Sequence, residues 1–194
     1  MKAEIISIGT ELLLGEIVNT NAAYLAKQLP LLGFDLYFIT TVGDNKQRLI
    51  NTLKQACDRA DIVITTGGLG PTQDDITREA VAEFLQEDIA IDPVLVKRLE
   101  DIFSKFNFEM SPSNIKQAGI IPSARIIDNA FGSAPGWWIE KNNKTIIILP
   151  GPTGELKSMW KSTVLPELKK RSEEIIVSRT LKLFNIPESQ VDEK

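Results

Sequence analysis

Residues 62–77 read IVITTGGLGPTQDDIT, and this stretch decides the fold. It opens with an apolar, β-branched run at 62–64, which is typical of a strand buried on both faces. Three glycines follow, and then a pattern of apolar residues with helical spacing. Glycines at the end of a strand let the backbone turn sharply and expose its N–H groups. The stretch therefore predicts a strand, a tight polar loop and a helix in succession.

The glycine loop, residues 67–70, has the chemistry of an anion site. Backbone N–H groups just before a helix hold phosphate well. Two carboxylates, Asp74 and Asp75, follow directly; they indicate a cation between them and the ligand, or one of them only caps the helix. The loop is neither a Walker A sequence nor a dinucleotide fingerprint, because it lacks a closing Gly-Lys-Ser/Thr and a correctly spaced third glycine. The alternative is a plain strand-to-helix turn.

Three further apolar runs are followed by polar loops. They are residues 5–8 before Gly9-Thr10-Glu11, residues 36–42 before Gly43-Asp44-Asn45, and residues 146–149 before Pro150-Gly151-Pro152. Helical periods lie between the runs, so the chain predicts an α/β fold with a mainly parallel sheet. Residues 134–140 and the turn after them predict a hairpin that makes the sheet mixed. Because adjacent strand residues face opposite sides, at most one of Trp137 and Trp138 lines a crevice.

The polar loops are expected to converge on one crevice, because ligands of such sheets bind outside the carboxyl ends of the strands. Four acids belong to these loops: Glu11, Asp44, Asp75 and Glu155. Together they form an oxygen-ligand set suited to a Mg²⁺-like ion that keeps several waters. Taken singly, each acid is interpreted as an ordinary surface acid or helix cap.

The composition excludes several classes of protein. The 194 residues contain no histidine, which removes Ser-His-Asp catalysis, Cys-His catalysis and histidine metal sites. The single cysteine, Cys57, cannot form an internal disulfide, so a cytoplasmic location fits best. A net charge of −4 argues against a nucleic-acid-binding surface. No signal peptide is visible, and no apolar stretch approaches the ~20 residues of a membrane span.

Five ordered motifs resemble the N-terminal domain of the competence/damage-inducible CinA family. The motifs are residues 9–15 with Asn19-Thr20-Asn21, Val42-Gly43-Asp44, residues 66–77, Ala134-Pro135-Gly136, and residues 149–152 with Glu155. That domain is similar to the molybdopterin-binding domains of the MoaB and MogA type. The resemblance covers residues 1–166. Residues 167–194 are interpreted as a linker and the start of a truncated second domain.

The resemblance implies a three-layer α/β/α sandwich with its site at the strand ends. In the CinA family this domain is associated with metal-dependent ADP-ribose pyrophosphatase activity, and a nicotinamide-nucleotide deamidase resides in a separate C-terminal domain. Two aspartates that are functional in the molybdopterin-binding relatives match Asp44 and Asp75. Leu69 stands where those relatives usually have threonine. Relatives self-associate, so the resemblance also implies a homo-oligomer.

Three hypotheses follow. In the first, the domain is a metal-dependent pyrophosphatase of ADP-ribose or a similar nucleotide. Its catalytic residues would be Asp44, Asp75 and Glu155, and Asp44 and Asp75 would also bind a divalent ion. In the second, it binds a pterin phosphate without hydrolysis. In the third, it is a noncatalytic regulatory or assembly domain. The residues predicted to bind the ligand are Gly9, Thr10, Glu11, Gly67, Gly68, Leu69, Gly70, Thr72, Thr77, Pro150 and Gly151.

Overall fold

A six-stranded mixed sheet forms the centre of the molecule. The computed structural model describes residues 1–105, 107–171 and 184. Its strands are β1 (Lys2–Ile8), β2 (Asp35–Val42), β3 (Ile62–Thr66), β4 (Ala90–Ile91), β5 (Gly119–Ile120), β6 (Ala124–Ile127), β7 (Gly136–Lys141) and β8 (Lys144–Leu149). The order in the sheet is β2-β1-β3-β8-β7-β6, and β4 pairs with β5 separately. The first four strands of that order are parallel and the β7–β8 hairpin is antiparallel, so the predicted mixed sheet is confirmed.

Helices cover both faces of the sheet. They are α1 (Thr10–Leu13), α2 (Thr20–Gln28), α3 (Lys46–Arg59), α4 (Thr77–Leu85), α5 (Pro93–Lys105), α6 (Thr153–Met159) and α7 (Leu165–Lys169). Short 3₁₀ segments lie at Pro30–Leu32 and Pro112–Ala118, and a π-helical turn at Trp160–Val164 joins α6 to α7. Among the described helices, none is both long and apolar enough to cross a membrane.

Two apolar cores, one on each face of the sheet, produce the three layers. One core packs α2 and the α6–α7 segment against the sheet, and the other packs α3 and α4. The alternation of side chains along a strand places Ile5 in the first core and Ile6 in the second. Trp138 and Trp137 divide in the same way, and both are buried, so neither lines a crevice. The predicted three-layer α/β/α sandwich is confirmed.

The register of the parallel strands positions the loops. Ser7 of β1 pairs with Thr66 of β3, and Thr66 pairs with Leu149 of β8. On the other side, Ile8 pairs with Val42 of β2. The four strands therefore end at the same level, and the loops after them leave the sheet side by side.

The last described helix, α7, ends at Lys169, beyond the boundary at residue 166 where the linker was predicted to follow. Arg171 then donates a hydrogen bond from Nη1 to Thr145 Oγ1 of β8 at 2.8 Å, which ties this end of the chain to the sheet. Most of the predicted linker and second domain, residues 172–183 and 185–194, lies outside the described residues.

Candidate functional site

The loops at the carboxyl ends of the parallel strands line one cavity of about 460 Å³. The predicted convergence of the loops is therefore confirmed. The predicted site residues that line the cavity are Gly9, Glu11, Asp44, Gly67, Gly68, Leu69, Gly70, Asp75, Pro150, Gly151 and Glu155. Their individual roles in binding and catalysis stay predictions.

Three carbonyl groups of the glycine loop, those of Gly67, Gly68 and Leu69, are held by the protein. Gly67 O accepts a hydrogen bond from Thr77 Oγ1 at 2.8 Å, and Gly68 O accepts one from the Thr77 N–H at 3.1 Å. Leu69 O accepts one from Arg78 Nη1 at 3.0 Å. In a planar trans peptide, the N–H points away from the carbonyl that precedes it. These three carbonyls point toward their donors on the α4 side of the loop. The N–H groups of the residues that follow them therefore point to the opposite side.

Those three N–H groups belong to Gly68, Leu69 and Gly70, which all line the cavity. In the described part of the chain, none of them has a protein acceptor, whereas the Gly67 N–H is bound to Leu149 O at 3.0 Å. Three consecutive free donors at the edge of a cavity form an anion-binding concavity. The loop therefore has the geometry that its glycine content predicts.

Glycine is required at two positions of the loop. Gly67 and Gly68 have φ angles of +102° and +66°, in the region that favours glycine. A Cβ on Gly67 would collide with Ile8 O, and a Cβ on Gly68 would collide with Thr77 Oγ1. The plain-turn interpretation explains these two glycines, but it does not explain why three successive residues whose N–H groups have no acceptor in the described structure line a cavity.

Arg78 places a buried positive charge behind the glycine loop. Its side chain donates to Leu69 O and, from Nη2, to Pro135 O at 2.6 Å. Burial lowers the pKa of Arg78 to about 10, so the guanidinium stays charged at neutral pH. Its two bonded partners are neutral carbonyls, and the nearby acids Glu79 and Asp75 stabilise its charge from a distance. Sequence reasoning missed Arg78, because a single basic residue on an amphipathic helix carries no signal of burial.

The 3₁₀ segment Pro112–Ala118 braces the glycine loop and the residues after it. Lys116 Nζ donates to Thr72 O at 2.9 Å and to Asp75 O at 2.7 Å. Gln117 lines the cavity and donates from Nε2 to Leu69 O at 3.4 Å. These contacts join positions more than 40 residues apart, and no local pattern in the sequence indicated them.

Three threonines predicted to bind the ligand do not line this cavity. The Thr10 N–H donates to Asp44 Oδ2 at 2.8 Å, and Thr10 Oγ1 accepts from the Asp44 N–H at 3.2 Å. The N–H and Oγ1 of Thr72 donate to Asp75 Oδ2 at 2.9 and 2.6 Å. Thr77 is fully buried and holds the glycine loop as described above. In the structure the three threonines bond to Asp44, Asp75 and the glycine loop, and their predicted contact with a ligand stays a prediction.

The charged side chains of the described residues that line the cavity are all acidic. The acids are Glu11, Asp44, Asp74, Asp75 and Glu155, and no lysine or arginine of the described residues lines it. Nor do the described residues contain a group of three acid, histidine or cysteine side chains that could hold a metal together. The predicted set of Glu11, Asp44, Asp75 and Glu155 is therefore not found as one ligand cluster in the described structure. A site for an ion such as Mg²⁺, which takes one or two carboxylates and completes its shell with water and substrate phosphates, stays a prediction.

Asn129 fixes Glu155 at the rim of the cavity and was not identified from the sequence. Its Nδ2 donates to Glu155 Oε2 at 2.6 Å and to Ala134 O at 3.0 Å. Its Oδ1 accepts from the N–H groups of Phe131 and Gly132 at 3.1 and 3.0 Å. The run of turn-forming residues at 128–136 is the signal that could have identified this loop.

Comparison with known proteins identifies the family. Residues 4–170 match the family described as "Probable molybdopterin binding domain". The chain belongs to this family. The predicted resemblance to molybdopterin-binding domains is therefore confirmed.

This molybdopterin-binding-type domain also has relatives that carry the CinA name. One is the protein CinA, of unknown function, from Thermoplasma acidophilum, whose sequence is 32% identical to this chain. Its crystal structure superposes with a TM-score of 0.81, and the match covers 87% of this chain and 99% of that chain. MoaB from Thermus thermophilus is 17% identical with a TM-score of 0.59, over 89% of this chain and 99% of that one, and shows the shared fold alone. A competence-damage inducible protein of Halothermothrix orenii is 50% identical over 194 residues, which are 100% of this chain and 47% of the relative. The chain therefore spans about half the length of the curated relatives it matches.

Proposed function

We propose that the domain binds a phosphorylated small molecule and holds its phosphate on the N–H groups of Gly68, Leu69 and Gly70. One observation carries this proposal: the carbonyls of residues 67–69 are bonded to the protein, while the three N–H groups that follow them, beside a cavity, have no acceptor among the described residues. Such groups satisfy their hydrogen-bonding capacity by taking an anion. The buried charge of Arg78 adds a favourable potential at the same place.

We further propose that the ligand is a diphosphate compound such as ADP-ribose and that it is hydrolysed with the help of a divalent cation. The support is the negative charge of the cavity, because the charged side chains of the described residues that line it are all acidic. These carboxylates would repel a diphosphate unless a cation lay between them and the ligand. Asp44 and Asp75 would hold the ion, each through the carboxylate oxygen that its threonine does not bind. A bound divalent ion neutralises the diphosphate and lowers the pKa of the attacking water.

In this proposal Glu155 accepts the proton of the attacking water. Its hydrogen bond with Asn129 fixes the carboxylate at the rim of the cavity. The water oxygen bonds to one phosphorus as the bridging P–O bond breaks, and the electron pair leaves with the other phosphate. With ADP-ribose the products are AMP and ribose 5-phosphate.

A second candidate function is the binding of a pterin phosphate without hydrolysis. The observation that favours it is the family match, since the family is described by molybdopterin binding. The glycine-loop N–H groups would hold the pterin phosphate in the same way.

The test combines calorimetry with product analysis. The chain is mixed with ADP-ribose and each of Mg²⁺, Mn²⁺ and Co²⁺, and AMP is measured. We expect AMP that depends on the ion, loss of AMP in Asp75→Asn, and no change in the matched control Asp58→Asn, an exposed acid of α3. Binding of ADP-ribose without AMP under any ion would reject hydrolysis. Tighter binding of molybdopterin would favour the second candidate, and no binding of either ligand would favour a regulatory or assembly role.

A further inference from the structure

A second cavity of about 390 Å³ adjoins the first. Four residues line both cavities: Ile8, Glu11, Gly151 and Pro152. The new part of the wall comes mostly from the segment between α1 and α2 and from the start of α2, and it is completed by Leu12, Thr66 and Thr153. None of the site residues assigned above, other than these shared ones, belongs to this compartment.

Asn21, at the start of α2, carries a buried acceptor without a donor. The residue is 9% exposed, and its Nδ2 donates to Gly151 O at 2.6 Å. Because a carbonyl oxygen can only accept, this bond establishes which end of the amide is the nitrogen. The other end, Oδ1, is buried and has no hydrogen-bond partner in the described structure. A buried acceptor in this state is costly unless a ligand supplies an N–H or O–H.

The walls of the second cavity indicate the chemistry of its occupant. Ile17 and Val18 provide apolar surface, and they are 52% and 81% exposed. Thr20 and Asn21 provide polar groups, and Glu11 is the only charged side chain of the described residues on this wall. An apolar wall opposite hydrogen-bonding groups fits a neutral ring that carries a donor.

We infer that the second cavity receives the ring-bearing end of the ligand and that Asn21 Oδ1 accepts a hydrogen bond from an N–H or O–H of that ring system. The inference rests on the proposed phosphate site, because the two cavities meet at Gly151, whose carbonyl Asn21 holds. It names the substrate class: a phosphate or diphosphate ester extended by a neutral ring system with a donor. Inorganic phosphates and short alkyl phosphates fall outside this class.

The test compares probes with and without a ring by calorimetry on the full chain in Mg²⁺. The probes are inorganic pyrophosphate, ADP-ribose and molybdopterin. We expect a ring-bearing probe to bind at least about 10-fold more tightly than pyrophosphate. Asn21→Ala should weaken that probe about 5- to 10-fold, the effect of one hydrogen bond, and leave pyrophosphate unchanged. The probe that loses affinity identifies the ring as nucleotide or pterin.

Two further variants keep the test decisive. Val18→Ser removes an exposed side chain that folding does not need, and it should weaken the ring-bearing probe about 3-fold through lost apolar contact. If Asn21→Ala does not fold, the affinity of Val18→Ser for the ring-bearing probe tests the inference in its place. Asn51→Ala, on the exposed face of α3, is the matched control and should change nothing.

The outcomes separate this inference from the proposed function. Equal losses for pyrophosphate and the ring-bearing probes in Asn21→Ala, or no loss for either, would overturn the inference alone. If wild type binds ring-bearing probes in an Asn21-dependent way but Gly68→Ala, which alters the glycine loop, binds them as tightly as wild type, the proposed phosphate site fails and the second cavity stands. If no probe binds, both fail.

Discussion

Arg78 Nη1 donates a hydrogen bond to the carbonyl oxygen of Leu69 at 3.0 Å, and both residues are buried. The same guanidinium binds Pro135 O, so one cation joins the glycine loop to the loop before β7. By holding the Leu69 carbonyl on the α4 side, Arg78 turns the N–H of Gly70 toward the cavity. Binding of an anion should therefore depend on a residue that does not line the cavity.

Replacement of Arg78 tests this dependence. Arg78→Met should weaken ADP-ribose binding by about 10-fold or more, because it removes a charge-assisted hydrogen bond to the loop together with a nearby positive charge. Arg78→Lys should recover part of the loss, since it keeps the charge without the planar fork. Calorimetry measures both, with Arg48→Met, an exposed arginine of α3, as the control. Unchanged binding in a folded Arg78→Met protein would contradict the role.

Two glycine-to-alanine changes should have opposite effects on stability. Gly68→Ala places a Cβ against Thr77 Oγ1 at a φ of +66°, and should cost about 1–3 kcal/mol of unfolding free energy and abolish ligand binding. Gly154→Ala, in α6, meets nothing within 4 Å and should raise the unfolding free energy by about 0.5–1 kcal/mol. Urea denaturation compares the two variants. Equal effects would show that the loop does not require glycine at position 68.

Glu155→Gln should separate catalysis from binding. If Glu155 takes the proton of the attacking water, the rate of AMP formation should fall about 100-fold or more while ADP-ribose affinity changes little. Asn129→Ala, which frees the Glu155 side chain, should lower the rate by a smaller factor. Single-turnover kinetics and calorimetry measure the two quantities. A parallel loss of rate and affinity would instead place Glu155 among the binding groups.

The ion pair between the buried Glu4 of β1 and the partly exposed Arg59 of α3 should matter more than an exposed pair. Glu4 is fully buried and accepts hydrogen bonds from Arg59 Nε at 2.8 Å, Arg59 Nη2 at 2.7 Å and Thr40 Oγ1 at 3.0 Å. Glu4→Ala should cost about 3 kcal/mol of unfolding free energy. Asp128→Ala, which removes an exposed partner of Arg98, should cost about 1 kcal/mol or less. Denaturant unfolding checks the difference, and similar losses would contradict it.

Part of the loss of unfolding free energy at acidic pH should depend on Glu140. Its pKa lies below the ordinary 4.5, because Trp138 Nε1 donates to Oε1 at 2.6 Å and because Arg171 lies beside it. A carboxyl with a lowered folded pKa stabilises the fold above its unfolded pKa and loses that contribution as the pH falls through the folded value. Glu140→Gln should therefore be less stable than wild type at neutral pH, and the two curves should converge as the pH falls below 4.5. Parallel curves of unfolding free energy against pH would contradict this.

Local patterns in the sequence were enough to predict the layers and the convergence of the loops. Apolar β-branched runs identify strands buried on both faces, and parallel strands of one sheet end at a common edge, which here brings Asp44, Gly68 and Gly151 to one cavity. The glycines at 67 and 68 predicted the turn for the steric reason that the structure shows. The roles of Asp44, Asp75 and Glu155 and of the divalent ion stay predictions.

The supports of the site were beyond sequence reasoning, because they depend on contacts between distant segments. Arg78, Gln117 and Asn129 reach the site from a helix, a 3₁₀ segment and a loop that carry no binding pattern of their own. The bonds of Thr10 and Thr77 to the protein were not predicted either, since a hydroxyl near a turn serves the backbone as readily as a ligand.

The most direct test of the central claim is an amide-resolved NMR titration of the chain with ADP-ribose and Mg²⁺, with molybdopterin as the second ligand. The account predicts that the amide signals of Gly68, Leu69 and Gly70 shift together and saturate with one of these ligands, while the Gly67 amide, already bound to Leu149, moves least. Saturable binding that leaves the three loop amides unmoved and shifts signals elsewhere would contradict it.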